Sequence, residues 1–222
     1  MSLTAISIPP SSGRSPQTLL VMLHGWGANA QDVAALSPFL HLPDTQLLCP
    51  NAPFLHDYSA QGRAWYDLPA TYQFGQPPDP AIQAQLHQSR TQLRDWLHKL
   101  PTQTGVPLTH TILAGFSQGG AMTLDVGLSL PLAGLMVLSG YLHPPSDEPT
   151  LELTQRPVLL VHGLQDSVVP LAAAHACRAT LTQLGLPVSY HELTMRHEIT
   201  PQVLDIMQNF TEKLGYSSEN TL

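Results

Sequence analysis

Gly115-Phe116-Ser117-Gln118-Gly119 sets a serine among glycines directly after the apolar run Thr111-Ile112-Leu113-Ala114. A strand turning sharply into a helix at that point would hold the Ser117 hydroxyl in the open, and the glycines leave room for the turn. A hydroxyl is a poor nucleophile until a base takes its proton, so the chemistry also needs a histidine and a carboxylate to orient it. Both types follow later apolar runs. Asp166 closes His162-Gly163-Leu164-Gln165-Asp166 after the run at 158–161, and His197 lies in Met195-Arg196-His197-Glu198-Ile199 after the run at 188–193. Acyl transfer also needs two donors for the developing oxyanion. The Gln118 N–H, next to the serine, is one; the Trp26 N–H, in the turn Leu23-His24-Gly25-Trp26-Gly27, is the expected second.

Other roles compete for some of these residues. Asp166 also suits the N-cap of a following helix, and Asp147 is an alternative acid in a Pro-rich loop. His24 and His162 each precede glycine in a turn, which favours holding loop backbone over acting as a base. The eleven histidines include no H-E-x-x-H spacing and the chain has no C-x-x-C, so neither a metal nor a cofactor is expected. Trp65, Tyr66, Tyr72 and Phe74 suit plain packing and a pocket wall equally. Trp26, Leu68, Tyr72, Phe74, Tyr141 and Val168 together would wall an apolar acyl groove, and Arg196 would favour substrates with a distal anion.

These residues need a scaffold that brings their loops to one edge. Apolar runs of strand length occur at 3–8, 18–23, 46–49, 111–114, 135–138, 158–161 and 188–193. Helical patterns occupy 32–40, 81–100, 120–130, 170–184 and 201–214, so strand and helix alternate. That alternation predicts an α/β fold: a mostly parallel sheet of about seven strands, helices on both faces, and ligands at the carboxyl edge. Residues 1–222 read as one domain, with 215–222 as a frayed tail. The connection at 141–155 is too short for a separate lid domain, which predicts an open site.

With 222 residues and 43% hydrophobic content the chain can bury a sizeable core. A net charge of −7 without basic runs argues against nucleic acid as a partner. Cys49 and Cys177 make no disulfide framework; the first ten residues lack a leader pattern, and no segment reaches membrane-spanning length. A cytoplasmic protein without a membrane span or lipid anchor is the expectation, with a homodimer left open.

The order Ser, Asp, His along the chain is that of α/β hydrolases. The chain resembles the acyl-protein thioesterase, or phospholipase/carboxylesterase, family of α/β hydrolases over nearly its whole length. The resemblance rests on Leu23-His24-Gly25, Ala64-Trp65-Tyr66-Asp67, Gly115 to Gly120, His162-Gly163 with Asp166-Ser167-Val168-Val169-Pro170, and His197-Glu198-Ile199. It implies Ser117 as nucleophile, Asp166 and His197 as its partners, Trp26 and Gln118 as oxyanion donors, and an ester or thioester of a small molecule or acylated protein as substrate. One departure stands out: Arg196 occupies a position where many such proteins have glycine. The alternatives are a non-catalytic binding protein on the same fold and a dienelactone-hydrolase-like enzyme, the latter disfavoured by serine where cysteine is usual.

Overall fold

A computed structural model describes residues 3–57, 59–69, 72–77, 79–144 and 156–214. Among them, nine strands follow in chain order: β1 (Ala5–Ile8), β2 (Thr18–Leu23), β3 (Thr45–Pro50), β4 (Phe54–Leu55), β5 (Arg63–Ala64), β6 (Thr111–Phe116), β7 (Gly134–Leu138), β8 (Val158–Gly163) and β9 (Val188–Leu193). The helices are α1 (Ala30–Ala34), α2 (Pro80–Thr104), α3 (Gln118–Gly127), α4 (Leu171–Gln183) and α5 (Pro201–Lys213). Seven strands form one sheet in the order β1-β3-β2-β6-β7-β8-β9, all parallel except β1, which runs antiparallel to β3. The predicted α/β architecture is the observed one.

Near-continuous apolar runs make these strands because both faces of the sheet are covered. Successive side chains point to opposite faces, and the core divides accordingly. Leu19, Val21 and Leu23 of β2, with Leu113 of β6 and Val137 of β7, pack under α2, α3 and α4. Leu20 and Met22, with Ile112, Ala114 and Met136, pack on the other face against α1 and α5.

Three differences from the sequence reading have local causes. The helix expected over 32–40 is broken: α1 ends at Ala34, and Ser37–Phe39 is a 3₁₀ turn. Pro38 has no N–H to continue the α-helical ladder. α1 also starts earlier, because the Asn29 side chain accepts from the Gln31 and Asp32 N–H groups while Asp32 accepts from the Asn29 N–H. α2 runs past residue 100 and takes Pro101 into its last turn, ending where Gly105 adopts φ 78°. The hairpin of β4 and β5 was not anticipated, since two-residue strands carry no periodic signal.

Parallel pairing puts the carboxyl ends of β2, β6, β8 and β9 on one edge. Strand order reverses beside β2, with β3 on one side and β6 on the other, and a crevice at such a reversal is where open α/β sheets bind ligands. The β7–β8 connection includes residues 145–155, so Asp147 lies outside the described residues, as does the tail from 215.

Candidate active site

Ser117 sits in the turn between β6 and α3 with φ 53° and ψ −117°. A non-glycine residue held there stores about 1–3 kcal/mol, which the surroundings must offset. Two contacts do so locally: the Ser117 N–H donates to the Leu138 carbonyl at 2.8 Å, and the Ser117 carbonyl accepts from the Gly120 N–H at 2.9 Å. Gly119 is needed for close approach rather than for φ. A Cβ there would lie 2.5 Å from the Leu23 carbonyl oxygen and 2.6 Å from that of His24, so any side chain would push α3 away from the turn after β2.

Asp166 and His197 are brought to the serine from loops 31 and 80 residues away in sequence from their partners. His197 Nδ1 lies 2.7 Å from Asp166 Oδ2, and His197 Nε2 lies 2.9 Å from Ser117 Oγ. An ionised carboxylate can only accept, so Nδ1 carries the proton, and Nε2 is left to accept the hydrogen bond from the Ser117 hydroxyl. Burial opposes ionisation of Asp166, but hydrogen bonds from His197 and from the Val169 and Val168 N–H groups outweigh it and hold the carboxyl below the usual range. Those two N–H groups donate to Oδ1 at 2.9 Å in the turn before α4, whose N-cap is Pro170, so Asp166 bonds loop backbone and does not cap that helix. The two loops can lie this close because residue 163 is glycine: a Cβ there would meet the Met195 and Arg196 carbonyl oxygens at 2.5 and 2.6 Å.

The turn after β2 is organised by His24. Its Nδ1–H donates to the Gly25 carbonyl at 2.8 Å and its Nε2 accepts from the Ala52 N–H at 3.0 Å. Burial lowers its pKa to about 4, so it is a neutral brace. His162 likewise donates from Nε2 to the Val169 carbonyl at 3.0 Å, and burial lowers its pKa too. Both histidines hold backbone, as expected. A Cβ on Gly25 would be 3.4 Å from the Ser117 Cβ, which sets the peptide leading to Trp26 beside the serine. Neither the Trp26 nor the Gln118 N–H has a backbone acceptor among the described residues.

The groove residues divide. Val168 is 55% exposed and Trp26 36%, with Trp26 standing edge-on to His56 at 4.2 Å. Leu68, Tyr72 and Phe74 are half-buried. Tyr141 departs from the wall expected of it: at 1% exposure it stands behind Phe74, ring centroids 4.7 Å apart. Arg196 is exposed and its N–H donates to Glu198 Oε1 at 3.2 Å. The only non-glycine residues with positive φ among those described are Ser117 and Ser139, so arginine replaces glycine at 196 without backbone strain.

Two features escaped the sequence reading. The buried Gln118 side chain accepts from the Trp65 N–H at 2.9 Å and donates to the Tyr66 carbonyl at 2.7 Å, tying the segment after β5 to the first residue of α3. Asp125 lies buried on α3 and pairs with Arg90 and His143. An aspartate inside Met122-Thr123-Leu124-Asp125-Val126 was the one available signal, since a charge on a buried helix needs partners. No group of three or more His, Cys, Asp or Glu side chains among the described residues could hold a metal ion, and no helix among them is long and apolar enough to cross a membrane.

A seven-stranded, mostly parallel sheet with helices on both faces, carrying serine, aspartate and histidine in that order on loops at one edge, is the architecture of the α/β hydrolases. Within that class the chain belongs to the phospholipase/carboxylesterase family, whose profile matches residues 7–215. The acyl-protein thioesterase 1 of Gibberella zeae is 27% identical over 204 residues, covering 86% of this chain and 84% of the relative. That of Neurospora crassa is 27% identical over 207 residues, covering 86% and 82%. Among solved structures, the crystal structure of esterase PE8 superposes with a TM-score of 0.86 at 32% identity, covering 96% of this chain and all (100%) of that one.

Proposed function

We propose that the chain is a serine hydrolase that cleaves carboxylic esters or thioesters of short to medium acyl chains through an acyl-enzyme. The observation that carries this reading is His197, bonded to Ser117 Oγ at 2.9 Å and to Asp166 at 2.7 Å. Ser117 attacks the carbonyl carbon as His197 Nε2 takes its proton. The Gln118 and Trp26 N–H groups stabilise the oxyanion, while Asp166 stabilises the imidazolium. The protonated His197 then hydrogen-bonds and protonates the departing alcohol or thiol. Water, deprotonated by the same histidine, attacks the acyl-enzyme and releases the acid.

The aromatic segment at 72–74, which packs with Ala121 and Val169, and the exposed Val168 suit the acyl chain. Cys49 and Cys177 are free, buried thiols, which fits a one-domain enzyme of a reducing compartment such as the cytoplasm. The names of the relatives, esterase and acyl-protein thioesterase, agree in substrate class. Labelling with a fluorophosphonate and locating the adduct tests the reading. An adduct on Ser117, lost in Ser117→Ala and strongly reduced in His197→Ala, is expected. No adduct, together with no turnover of p-nitrophenyl esters, would favour a binding protein on this fold.

A further inference from the structure

Behind the aromatic segment lies a connected set of buried polar groups that the proposed mechanism does not use. Arg90 of α2 donates from Nε to Asp125 Oδ2 at 2.8 Å, and His143, five residues after β7, meets the same oxygen through Nδ1 at 2.8 Å. His143 Nε2 lies 2.8 Å from the Tyr66 hydroxyl, which in turn pairs with the Tyr141 hydroxyl. The set spans α2, α3, the segment after β5 and the segment after β7.

The charged end of this chain fixes the direction of the bonds made to it. Burial opposes ionisation of Asp125, but His143 and Arg90 outweigh it and keep the carboxyl ionised. A carboxylate accepts only, so His143 Nδ1–H donates to it, while Nε2 pairs with the Tyr66 hydroxyl. The Tyr66 hydroxyl joins His143 Nε2 on one side to the Tyr141 hydroxyl on the other. Burial raises the pKa of both phenols far above the ordinary tyrosine value, so both keep their protons. Tyr141 is thereby linked through Tyr66 and His143 to the buried ion pair at the other end of the relay.

Tyr141 is the surface against which the open aromatics rest. Phe74 stands edge-on to it at 4.7 Å, Tyr72 tilts against it at 6.3 Å, and Tyr72 and Phe74 meet each other at 5.4 Å. This group packs with Ala121, one turn after Ser117, and with Val169, three residues after Asp166. It thus occupies the space between the start of α3 and the Asp166 loop, where an acyl chain on Ser117 would extend. Tyr66 is held from its other side as well, by Gln118 on its carbonyl.

We propose that the Arg90–Asp125–His143–Tyr66–Tyr141 relay sets the position of Tyr72 and Phe74 and thereby the acyl-length preference of the site. Its members are positioning residues; none touches the reacting atoms. The proposal rests on the serine-hydrolase reading, and its test separates the two. His143→Phe keeps an aromatic ring but breaks both bonds, His143→Gln restores a donor and an acceptor, and Tyr66→Phe removes one hydroxyl without unpairing Asp125. For each, kcat and KM are measured on p-nitrophenyl acetate, butyrate and hexanoate, with fluorophosphonate labelling of Ser117 and Tm in parallel.

With the relay broken, the hexanoate-to-acetate ratio of kcat/KM should fall about fourfold for each methylene that loses its contact. The loss should enter through KM for the longer esters, with acetate turnover and Ser117 labelling preserved in His143→Phe and the ratio regained in His143→Gln. Equal ratios in wild type, His143→Phe and Tyr66→Phe would overturn the relay's role, as would a proportional loss on all three esters, which marks a purely structural network. Where His143→Phe does not fold, the Tyr66→Phe ratio decides alone. Failure of wild-type Ser117 to label would strike the serine-hydrolase reading instead.

Discussion

Ser117, His197 and Asp166 form a chain in which each member has one available role, because the ionised Asp166 dictates the His197 tautomer and that tautomer dictates the acceptor facing Ser117. Groups that work as a unit are not additive when removed. Ser117→Ala and His197→Ala should each reduce kcat by roughly 10⁴–10⁶, and the double variant should lose little more. Steady-state kinetics on a p-nitrophenyl ester checks this, and multiplicative losses would dissolve the unit. His24 gives a second prediction, for stability. Its folded pKa is about 4 against an ordinary 6.5, so between those values the unfolded chain binds the extra proton. Stability therefore falls as pH drops from 6.5 to 4, by up to roughly 3 kcal/mol. Asp166 and Asp125 act lower: their contribution is lost only as pH falls below the ordinary carboxylate value of 3.8, through their depressed folded values. Urea unfolding midpoints at pH 7, 5.5 and 4.5 should decline in the wild type and decline less in His24→Gln. Parallel declines would remove His24 as the source.

Helix α3 carries the proposed nucleophile at its N-cap, the clamp on Trp65 and Tyr66 at its first residue, and the carboxylate of the proposed relay at Asp125. Gln118→Ala keeps the backbone N–H proposed as an oxyanion donor but strands the Trp65 N–H and the Tyr66 carbonyl, both buried. Each unsatisfied group costs about 1–3 kcal/mol, so Tm should drop by roughly 5–15 °C in a chain of this size. Differential scanning calorimetry settles it, and an unchanged Tm would mean the clamp contributes nothing. The same element shows where sequence signals stop. Gly115-Phe116-Ser117-Gln118-Gly119 announced the turn, yet glutamine there reads as an ordinary polar residue, because its two partners lie 52 and 53 residues earlier in the chain. Helix α1 failed for a nearer reason: the apolar spacing over 32–40 was correct, but Pro38 stops the ladder locally.

Across the molecule, the sheet presents one loop-bearing edge, and the apolar side chains exposed near it include Trp26 and Val168. A groove open to solvent binds an acyl chain by burying methylenes one at a time, at about 0.8 kcal/mol each, until the wall ends. We expect kcat/KM to rise from acetyl to a short or medium chain and then level, without a jump above the substrate's critical micelle concentration. A strong interfacial jump would mean a covering element governs access. The exposed Arg196 adds a charge test: carboxylate-bearing esters compared with neutral ones, in wild type and Arg196→Ala at two salt concentrations. A role in selection predicts a ratio that drops on substitution and weakens with salt.

The order of the seven main-sheet strands and the five helices around them, the mostly parallel α/β class and the residue types able to do acyl transfer were legible in the residues alone. Those properties depend on local periodicity, on glycine and proline at turns, and on which residues follow each apolar run. The sequence also carried the bracing roles of His24 and His162, since a histidine before a glycine in a turn has few other partners. Only the folded path of the chain brings His197 to Ser117 across 80 residues and His143 to Tyr66 across 77, and buries Tyr141 behind Phe74. Period-two alternation says which face a side chain takes but not which neighbour it finds. A directional hydrogen bond is fixed only when strand register and loop path place donor and acceptor within about 3 Å.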